Sequence, residues 1–411
     1  MNFKIFTLND VCLKITDGSH TSPKAKEKGY PMFSVKDMKE YSFDYSNVKL
    51  ISSEDFEKMK RNDCVPQKGD VLVAKDGSYL KSIFVCKETK EEAILSSIAI
   101  FRPNTDIITS DYLCYLLKSP KIFKYISDNC VSGSALPRII LKDFKRVEIS
   151  VPSIKIQNKI SRYLRMIDDK IELNHQINNN LEKQAQAIFK SWFVDFEPFK
   201  DEDFIDSELG QIPKGWQVDI LKNISKDIIC GKTPSTKNKS YFGNEIPFIT
   251  IPDMHNNVYI TKTQRNLSKE GALSQKSKFL PINSICVSCI ATAGLVSLTS
   301  EISQTNQQIN SIIVKEGISY IYVYLLLQRL SEYINILGSS GSTTNNLNKE
   351  QFSKIKIIVP NKKVQNKFQE LLEPLFEKIL KNKKEIENLE KLRDTLLPKL
   401  MSGEIDIPLE V

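Results

Sequence analysis

The sequence predicts an α+β protein in which two globular units alternate with two long helices that pair as an antiparallel coiled coil. The first observation is an internal repeat, because Leu181-Glu182-Lys183 recurs as Leu389-Glu390-Lys391, and 389 minus 181 gives an offset of 208. The second is that apolar residues recur at helical spacing through both copies, with charged and amide residues between them. Two such stripes in a repeated chain are expected to pack on each other about a pseudo-twofold axis.

Five segments follow from the repeat, and a length of 411 residues agrees with them because it exceeds one ordinary domain. In order along the chain they are a first globular unit at 1–150, a central helix at 151–199, a linker at 200–216, a second globular unit at 217–358, and a C-terminal helix with a tail at 359–411. At about 1.5 Å per residue, a helix of roughly forty residues spans about 60 Å. Such helices are long enough to fix a distance between two sites.

Short strands separated by turns are predicted for the first unit. Apolar runs predict strands at 32–35, 71–75, 82–86, 94–101 and 146–151. Ser110 and Asp111 are predicted to cap a short helix that ends near Leu117. The second unit repeats this plan, since Ser340-Gly341-Ser342 answers Ser132-Gly133-Ser134 at the same offset. The two units share one backbone plan but differ in their polar loops. We therefore expect each unit to bind a different version of the same kind of ligand.

Twelve side chains are predicted to form the seam between the two helices. They are Ile160, Ile167, Ile171, Asn174, Ile177, Leu181, Phe368, Leu375, Ile379, Asn382, Ile386 and Leu389. Asn174 and Asn382 occupy equivalent positions, and asparagine in a coiled-coil core fixes register at a cost in stability. We expect these two residues to face each other near the axis; the alternative is that both are exposed. Pro374 lacks an amide hydrogen and is expected to kink the second helix.

Composition excludes several classes of protein. No apolar run approaches 18 residues and the chain enters polar sequence directly after Met1, so a cytoplasmic protein with no membrane partner is expected. Eight scattered cysteines in a chain of this length indicate reduced interior thiols, not a disulfide framework. A net charge of +8 moderately favours an anionic partner.

Motifs for catalysis are missing from the sequence. Gly231-Lys232-Thr233 resembles the end of a phosphate-binding P-loop, but Lys226 stands where that motif requires glycine. Cys286 and Cys289 have the spacing of a zinc pair, yet without a second pair they are predicted to be core residues. The three histidines form no triad or metal spacing. We therefore predict a non-catalytic chain that holds no metal and no cofactor.

Polar loops with small residues and lysines are the remaining candidates for a binding site. Lys, Arg, Ser and Thr bind phosphates, glycine lets backbone amides approach them, and Asn, Gln and Arg hydrogen-bond base edges. In the first unit the predicted DNA-binding residues are Lys14, Gly18, Ser19, His20, Thr21, Lys36, Lys75, Gly77, Ser78, Lys81, Ser132, Gly133, Ser134 and Arg138. In the second unit they are Lys232, Thr233, Ser235, Thr292, Gly294, Ser340, Gly341, Ser342, Thr343, Asn345 and Asn346.

Over its whole length the chain resembles the DNA-specificity subunit of a Type I restriction-modification system. The tandem layout with its linker is specific to that family, whereas each short motif alone is moderately so. The motifs are Val151-Pro152 with Gln157, Val359-Pro360 with Gln365, the blocks 189–199 and 208–216, and the ending 397–405.

The resemblance implies a division of labour. The two globular units would be target-recognition domains, each recognising one half of a split, asymmetric site on double-stranded DNA. The helices would set the spacer and dock two methyltransferase subunits, which use S-adenosylmethionine, and up to two endonuclease/translocase subunits would join them with ATP and Mg²⁺. Catalysis would belong to those partners, so this chain would bind no cofactor itself.

Two alternatives come from other classes of protein. A coiled-coil scaffold that binds only other proteins has the same helices, and salt-dependent binding to duplex DNA separates it from a DNA-recognition subunit. A nuclease or methyltransferase that recognises its own target requires a metal or methyl-donor motif, and the sequence has none.

Overall fold

Two long helices, Ile154–Phe193 and Lys362–Ser402, each contribute to both units of the structure. The structure is a computed structural model that describes residues 2–133, 137–339 and 346–405. Unit 1 comprises Met1–Glu172 and Asn388–Val411, and unit 2 comprises Leu173–Glu387. Each unit therefore consists of a globular part and one segment from each long helix.

Unit 1 is built on a four-stranded antiparallel sheet. Its strands, in spatial order, are Cys12–Asp17, Ile98–Pro103, Val71–Ala74 and Ile83–Val85. A second sheet has the order Lys49–Ile51, Tyr30–Phe33 and Ala93–Ile94, and paired short strands occur at Lys4–Thr7 with Glu148–Val151 and at Val131–Ser132 with Arg138–Ile139. The helices are Leu8–Val11, Ser53–Arg61, Ser110–Lys118, Pro120–Asn129 and Leu141–Arg146.

Unit 2 repeats the same arrangement. Its main sheet has the order Ser225–Cys230, Ile309–Val314, Ile285–Ser288, Val296–Thr299 and Tyr259–Ile260, and the first four strands are antiparallel neighbours. The other strands are Phe204–Ser207, Gly210–Pro213, Gln217–Ile220, Phe242–Gly243, Ile246–Ile249, Asn266–Leu267, Gln304–Thr305 and Lys356–Val359. The helices are Leu221–Ile224, Ile251–Met254, Lys269–Leu273, Tyr320–Arg329, Ser331–Ser339 and Lys349–Ser353. The predicted α+β class and internal repeat are confirmed.

The hydrophobic core of each unit includes the long helices. In unit 1, Ile160 and Leu164 of the first helix and Leu397 of the second pack with the sheet and the helix Ser110–Lys118. In unit 2, Phe189 and Phe193 pack with Phe368, Tyr322 and Trp216. The aromatic cluster at the end of the first long helix thus closes the core of unit 2.

Local chain geometry corrects two sequence predictions in unit 1. The cap of the helix Ser110–Lys118 is Thr109, whose hydroxyl accepts a hydrogen bond from the Tyr112 amide at 3.3 Å, and not Ser110. The strand predicted at 94–101 is two strands, because the Ile98 amide donates to the Leu95 carbonyl at 3.0 Å and closes a turn between them. That turn contributes to the candidate site.

The residues predicted as a linker are folded. Strands Phe204–Ser207 and Gly210–Pro213 form a hairpin, and Gly210 at its turn has φ +99°, which favours glycine. Ile212 and Trp216 are 1% and 3% exposed within the core of unit 2. Most residues of this stretch are polar, and its few apolar side chains anchor it to the core of unit 2.

The two helix segments in each unit pack antiparallel, and their seam differs in detail from the predicted one. None of the twelve predicted residues is exposed, but Ile167, Ile177, Leu181, Leu375 and Leu389 are only half-buried. The residues that complete the seam are Leu164, Asp168, Asn178, Ala185, Leu372 and Phe376. The buried side of each helix drifts from the predicted stripe because a straight helix has 3.6 residues per turn.

Asn174 and Asn382 are both fully buried, so the alternative that both are exposed is wrong, but no hydrogen bond joins the two side chains. The Asn382 amide donates to Asn178 at 2.8 Å, Asn174 donates to Glu385 at 3.1 Å, and among the described residues neither Oδ1 has a hydrogen-bond partner. In an antiparallel pair the residue numbers of facing residues add up to a constant, which is 560 for Asn382 with Asn178 and 559 for Asn174 with Glu385. Residues related by the offset of 208 therefore meet near 176 and 384, two positions beyond the predicted Asn174 and Asn382. Pro374 does not end the second helix, which runs without a break from Lys362 to Ser402.

A buried ionic network joins the helix segments of unit 1 to its globular part. The Asp168 carboxylate accepts hydrogen bonds from Arg393 at 3.0 Å, Tyr41 at 3.0 Å and Tyr115 at 2.8 Å, and Arg393 also binds Glu40 at 2.7 Å. Burial alone would lower the pKa of Arg393, but its bonds to Asp168 and Glu40 outweigh that effect and raise it. Arg393 therefore stays charged.

The equivalent place in unit 2 is apolar. Phe376 and Ala185 stand at the positions of Asp168 and Arg393, since 376 minus 168 and 393 minus 185 both give 208. The ring of Phe376 lies edge-to-face against Tyr324, with 5.7 Å between the ring centroids. Equivalent positions thus join the helix segments to the globular part in both units, but the contact is ionic in unit 1 and aromatic in unit 2.

All eight cysteines are free thiols, of which five are buried. Cys286 and Cys289 are 0% and 1% exposed, which confirms that they are core residues. Among the described residues, no helix combines the length and the apolar character needed to cross a membrane.

Candidate nucleic-acid interface

Three of the predicted loops of unit 1 lie together at one end of its main sheet. The Lys75 ammonium lies 3.3 Å from an oxygen of Asp17 and 3.3 Å from one of Asp76. Asp76 forms a β-bridge with Arg138, and the Gly77 amide donates to the Pro137 carbonyl at 2.8 Å. One surface is therefore formed by the loops that follow residues 17 and 75 together with Pro137 and Arg138.

Gly18 is required where the first of these loops crosses the turn at 94–97. A Cβ atom at Gly18 would lie 2.2 Å from the carbonyl oxygen of Ile94, which is far below any real contact. The Ser19 amide donates to the same oxygen at 2.9 Å, and the Ser96 amide donates to the Ser19 carbonyl at 2.9 Å. Only glycine permits this close approach, which holds the loop against the sheet.

The predicted residues of this surface differ in exposure. Lys75 is 7% exposed, with its charge enclosed by the two aspartates. The exposed members are His20, Thr21, Ser78, Lys81, Ser132, Gly133 and Arg138. The half-buried members are Ser19 and Gly77. A DNA strand on this surface would meet the exposed side chains, while Lys75 lies beneath them.

Three further predicted residues of unit 1 are not gathered into this cluster. Lys14 lies earlier on the strand Cys12–Asp17, where it pairs with Asp63. Lys36 is exposed on a short 3₁₀ helix beside the cluster, since the Val35 amide donates to the Ser97 hydroxyl at 3.0 Å. Ser134 lies outside the residues that the structure describes.

In unit 2 the corresponding loops are held by the same backbone pattern. A Cβ atom at Gly231 would lie 2.1 Å from the Asn306 carbonyl oxygen, as Gly18 lies against Ile94. The Lys232 amide donates to the Thr305 carbonyl at 2.9 Å. Asn346 forms a β-bridge with Ile290, matching the bridge between Arg138 and Asp76. The loops at 231–233, 289–292 and 346 form one surface.

Two predicted residues of unit 2 have structural constraints of their own. Gly294 has φ +94° and its missing Cβ would lie 2.5 Å from the Ser331 carbonyl oxygen, so it is held in a turn that requires glycine. The Thr292 carbonyl accepts a hydrogen bond from the Ser288 hydroxyl at 2.6 Å, and this bond shapes the exposed loop. Ser235 is exposed beyond Pro234. The predicted residues Ser340, Gly341, Ser342, Thr343 and Asn345 lie outside the described residues.

Comparison with known proteins explains why one scaffold occurs twice. The family described as the Type I restriction modification DNA specificity domain matches residues 1–183 and 213–391. The chain belongs to this family. In it, the chain supplies DNA sequence recognition and is not the catalytic component.

Relatives and solved structures agree with this assignment. This specificity chain is 37% identical to the Type I restriction enzyme HindI specificity subunit of Haemophilus influenzae, over 82% of this chain and 87% of the relative. It is 35% identical to the MjaIX specificity subunit of Methanocaldococcus jannaschii, over 74% and 70% of the two chains. A crystal structure of a Type I S subunit from M. genitalium covers 99% of this chain and 97% of that chain, with a TM-score of 0.60 at 17% identity, and shows the same fold.

Sequence reasoning missed a polar turn in unit 2 of this specificity chain. Gln307 is exposed, and its side-chain oxygen accepts a hydrogen bond from the Thr233 hydroxyl at 2.7 Å. Asn306 donates to Gln308 at 2.9 Å in the same turn. The run Gln304 to Gln308 contains four amide side chains in five residues, which is visible in the sequence, but Gln304 and Asn306 are buried and only Gln307 is exposed.

Both surfaces carry polar and charged side chains. Within the described residues, no group of three or more His, Cys, Asp or Glu side chains is placed to hold a metal ion. Burial raises the pKa of Cys289 beside the unit 2 loops to about 12, so this thiol stays protonated at neutral pH. The loops offer hydrogen-bond donors, acceptors and cations to a ligand.

Proposed function

We propose that each unit of this specificity chain recognises one half of a bipartite, asymmetric DNA target through the loop surfaces defined above. The observation that carries the proposal is the paired backbone scaffold. Gly18 and Gly231, and the bridges at Arg138 and Asn346, hold equivalent loops in the two units, while the exposed side chains differ. An identical frame with different side chains is what recognition of two unlike half-sites requires.

The two surfaces would favour different bases. In unit 1 the exposed Arg138 carries the fork that pairs with the major-groove edge of guanine, and Lys81 is a candidate phosphate contact. In unit 2 the exposed Asn346 and Gln307 present amides, which pair with adenine. We keep 1–150 and 217–358 as the proposed target-recognition domains, with the helices between them fixing the spacer.

We also propose that each unit docks one methyltransferase subunit, giving two per specificity chain. Large apolar side chains are exposed at equivalent positions of the two long helices: Tyr163 at 42% and Leu371 at 45%, with Met166 at 62% and the exposed Pro374 one turn on. Exposed apolar positions repeated on both helices favour a protein partner that binds twice. The methyltransferases would use S-adenosylmethionine, and up to two endonuclease/translocase subunits would use ATP and Mg²⁺.

The test is to co-express the full chain with a cognate methyltransferase subunit and to map N6-methyladenine across the host DNA. A split motif that is methylated only when this chain is present supports the proposal and gives both half-sites with their spacer. Methylation that is unchanged by the chain, despite formation of a stable complex, refutes it. Salt-dependent binding of that complex to duplex DNA excludes the alternative of a scaffold that binds only proteins.

A further inference from the structure

Lys75 occupies an unusual position for a lysine in a DNA-binding loop. Its side chain is 8% exposed, and its ammonium lies 3.3 Å from both Asp17, which is 11% exposed, and Asp76, which is 21% exposed. Lysine is almost never buried unless it is paired, and a buried pair is held in one geometry. The Lys75 charge is therefore already compensated inside the protein.

The backbone of Lys75 joins two more segments of the surface. Its amide donates to the Ser97 carbonyl at 3.0 Å, and its carbonyl accepts from the Ile139 amide at 2.9 Å. Through its side chain and its backbone, this one residue contacts the loop after Asp17, its own loop at Asp76, the turn at Ser97 and the strand that carries Arg138. Movement of any of these four segments would therefore disturb a contact of Lys75.

Cys289 occupies the same place in unit 2. Its amide donates to the Gln308 carbonyl at 2.8 Å, and its carbonyl accepts from the Leu347 amide at 2.9 Å, which matches Ile139 because 347 minus 139 is 208. Cys230 precedes Gly231 as Asp17 precedes Gly18. Two cysteines thus replace the ion pair at an equivalent position.

We propose that Lys75 is a positioning residue for recognition of the first half-site, holding the four segments from beneath, and not a phosphate contact; Cys289 has the same role in unit 2. The proposal rests on the proposed function, because it assigns a role within the unit 1 surface. A cysteine cannot neutralise a phosphate, so the shared feature of the two positions is the backbone connection. The exposed side chains above Lys75 and Cys289 make the DNA contacts.

The two roles predict different responses to salt. A residue that neutralises a phosphate contributes about 0.9 to the slope of log affinity against log salt concentration. Lys75→Met should leave that slope unchanged, while it relaxes base preference in the first half-site by about tenfold, the scale of one mismatched base pair. Lys81→Met, a matched change at an exposed lysine of the same loop, should lower the slope by about 0.9 with little effect on preference.

The experiment uses the full chain in complex with its methyltransferase, with duplex-DNA affinity measured at several salt concentrations and the methylated motif mapped in cells. Lys75→Met leaves Asp17 and Asp76 without their cation, so the two carboxylates repel each other. The double variant Lys75→Met with Asp17→Asn removes that repulsion. Asp17→Asn alone keeps the pair between Lys75 and Asp76. All three should relax the first half-site only, and Cys289→Leu, which overfills its buried position, should relax the second only.

Three results would overturn the proposal. The first is that Lys75→Met lowers the salt slope as Lys81→Met does. The second is that folded complexes of the three Lys75 and Asp17 variants all retain the wild-type motif. The third is that base preference relaxes equally in both half-sites of a Lys75 variant. Failure of the proposed function has a different signature, because the wild-type complex itself then produces no split motif.

Discussion

Replacing Asp168 with asparagine should destabilise unit 1 by about 3 kcal/mol. Removing one partner of a buried ion pair costs about 3 to 5 kcal/mol, because the remaining charge is left buried. Arg393 keeps its 2.7 Å bond to Glu40, and an asparagine oxygen can still accept one hydrogen bond, which places the expected cost at the lower end. For a unit of this size, about 3 kcal/mol corresponds to a fall of roughly 6 to 12 °C in melting temperature.

The two tryptophans allow the units to be followed separately in the full chain. Trp192 and Trp216 both pack in unit 2, so their fluorescence reports that unit, while far-ultraviolet circular dichroism follows both. The dichroism of Asp168→Asn should show an earlier transition, with the fluorescence transition unmoved. The control is Arg165→Met, which removes an exposed pair with Asp111 and should cost about 1 kcal/mol or less.

A double variant decides whether the ion pair itself is responsible. Asp168→Leu with Arg393→Met removes both buried charges and should be more stable than Asp168→Asn alone, since the carboxylate that then loses its cation, Glu40, is 43% exposed and can be hydrated. A cost below about 1 kcal/mol for Asp168→Asn, or a double variant that loses the sum of its two single changes, would refute this account of the network.

Three further predictions concern separate parts of the chain. Gly18→Ala should abolish discrimination in the first half-site of the methylated motif and spare the second, whereas Gly231→Ala should do the reverse, as mapping of the motif will show. Pro374→Ala should stabilise unit 2 by about 2 kcal/mol, because alanine restores an amide donor in an exposed helix interior; urea denaturation followed by tryptophan fluorescence checks this. Cys289 should react with a disulfide reagent at pH 8 only on unfolding. Because burial raises the pKa of its thiol from 9.0 to about 12, the contribution of the protonated thiol to the free energy of unfolding is complete below pH 9 and is lost as pH rises towards 12.

The repeat made the architecture predictable from the sequence. Two apolar stripes at one offset predict two helices, and both are present at 154–193 and 362–402. The finer register was not predictable, since the choice between Ile177 and Asn178 as the buried residue depends on the partner helix. A pattern of residue types records which side of a helix is apolar, but not how far that side turns along its length.

The predicted binding residues stay a prediction, but the structure shows what the sequence could reveal about them: a position where the backbone demands glycine is visible in the sequence, whereas burial is not. Gly18 was among the predicted residues because polar loops rich in glycine are visible in the sequence, whereas its counterpart Gly231 was not. Lys75 and Lys81 look alike in sequence, yet one is enclosed by carboxylates and the other is exposed. Of the two carboxylates, Asp76 is adjacent in sequence but Asp17 is distant, and no local pattern reports its approach.

The composition of unit 1 from two distant parts of the chain has a consequence for its synthesis. Leu397, Leu400 and Met401 complete a core that begins with residues such as Ile160 and Leu164. At about 5 to 20 residues per second, the ribosome needs roughly 12 to 45 seconds to pass from residue 164 to residue 397. Unit 2 is continuous in sequence and is complete before those residues are made, so the unit encoded first should finish folding last. During that interval the apolar side of the first helix lacks its covering segment, and nascent chains should depend there on chaperones.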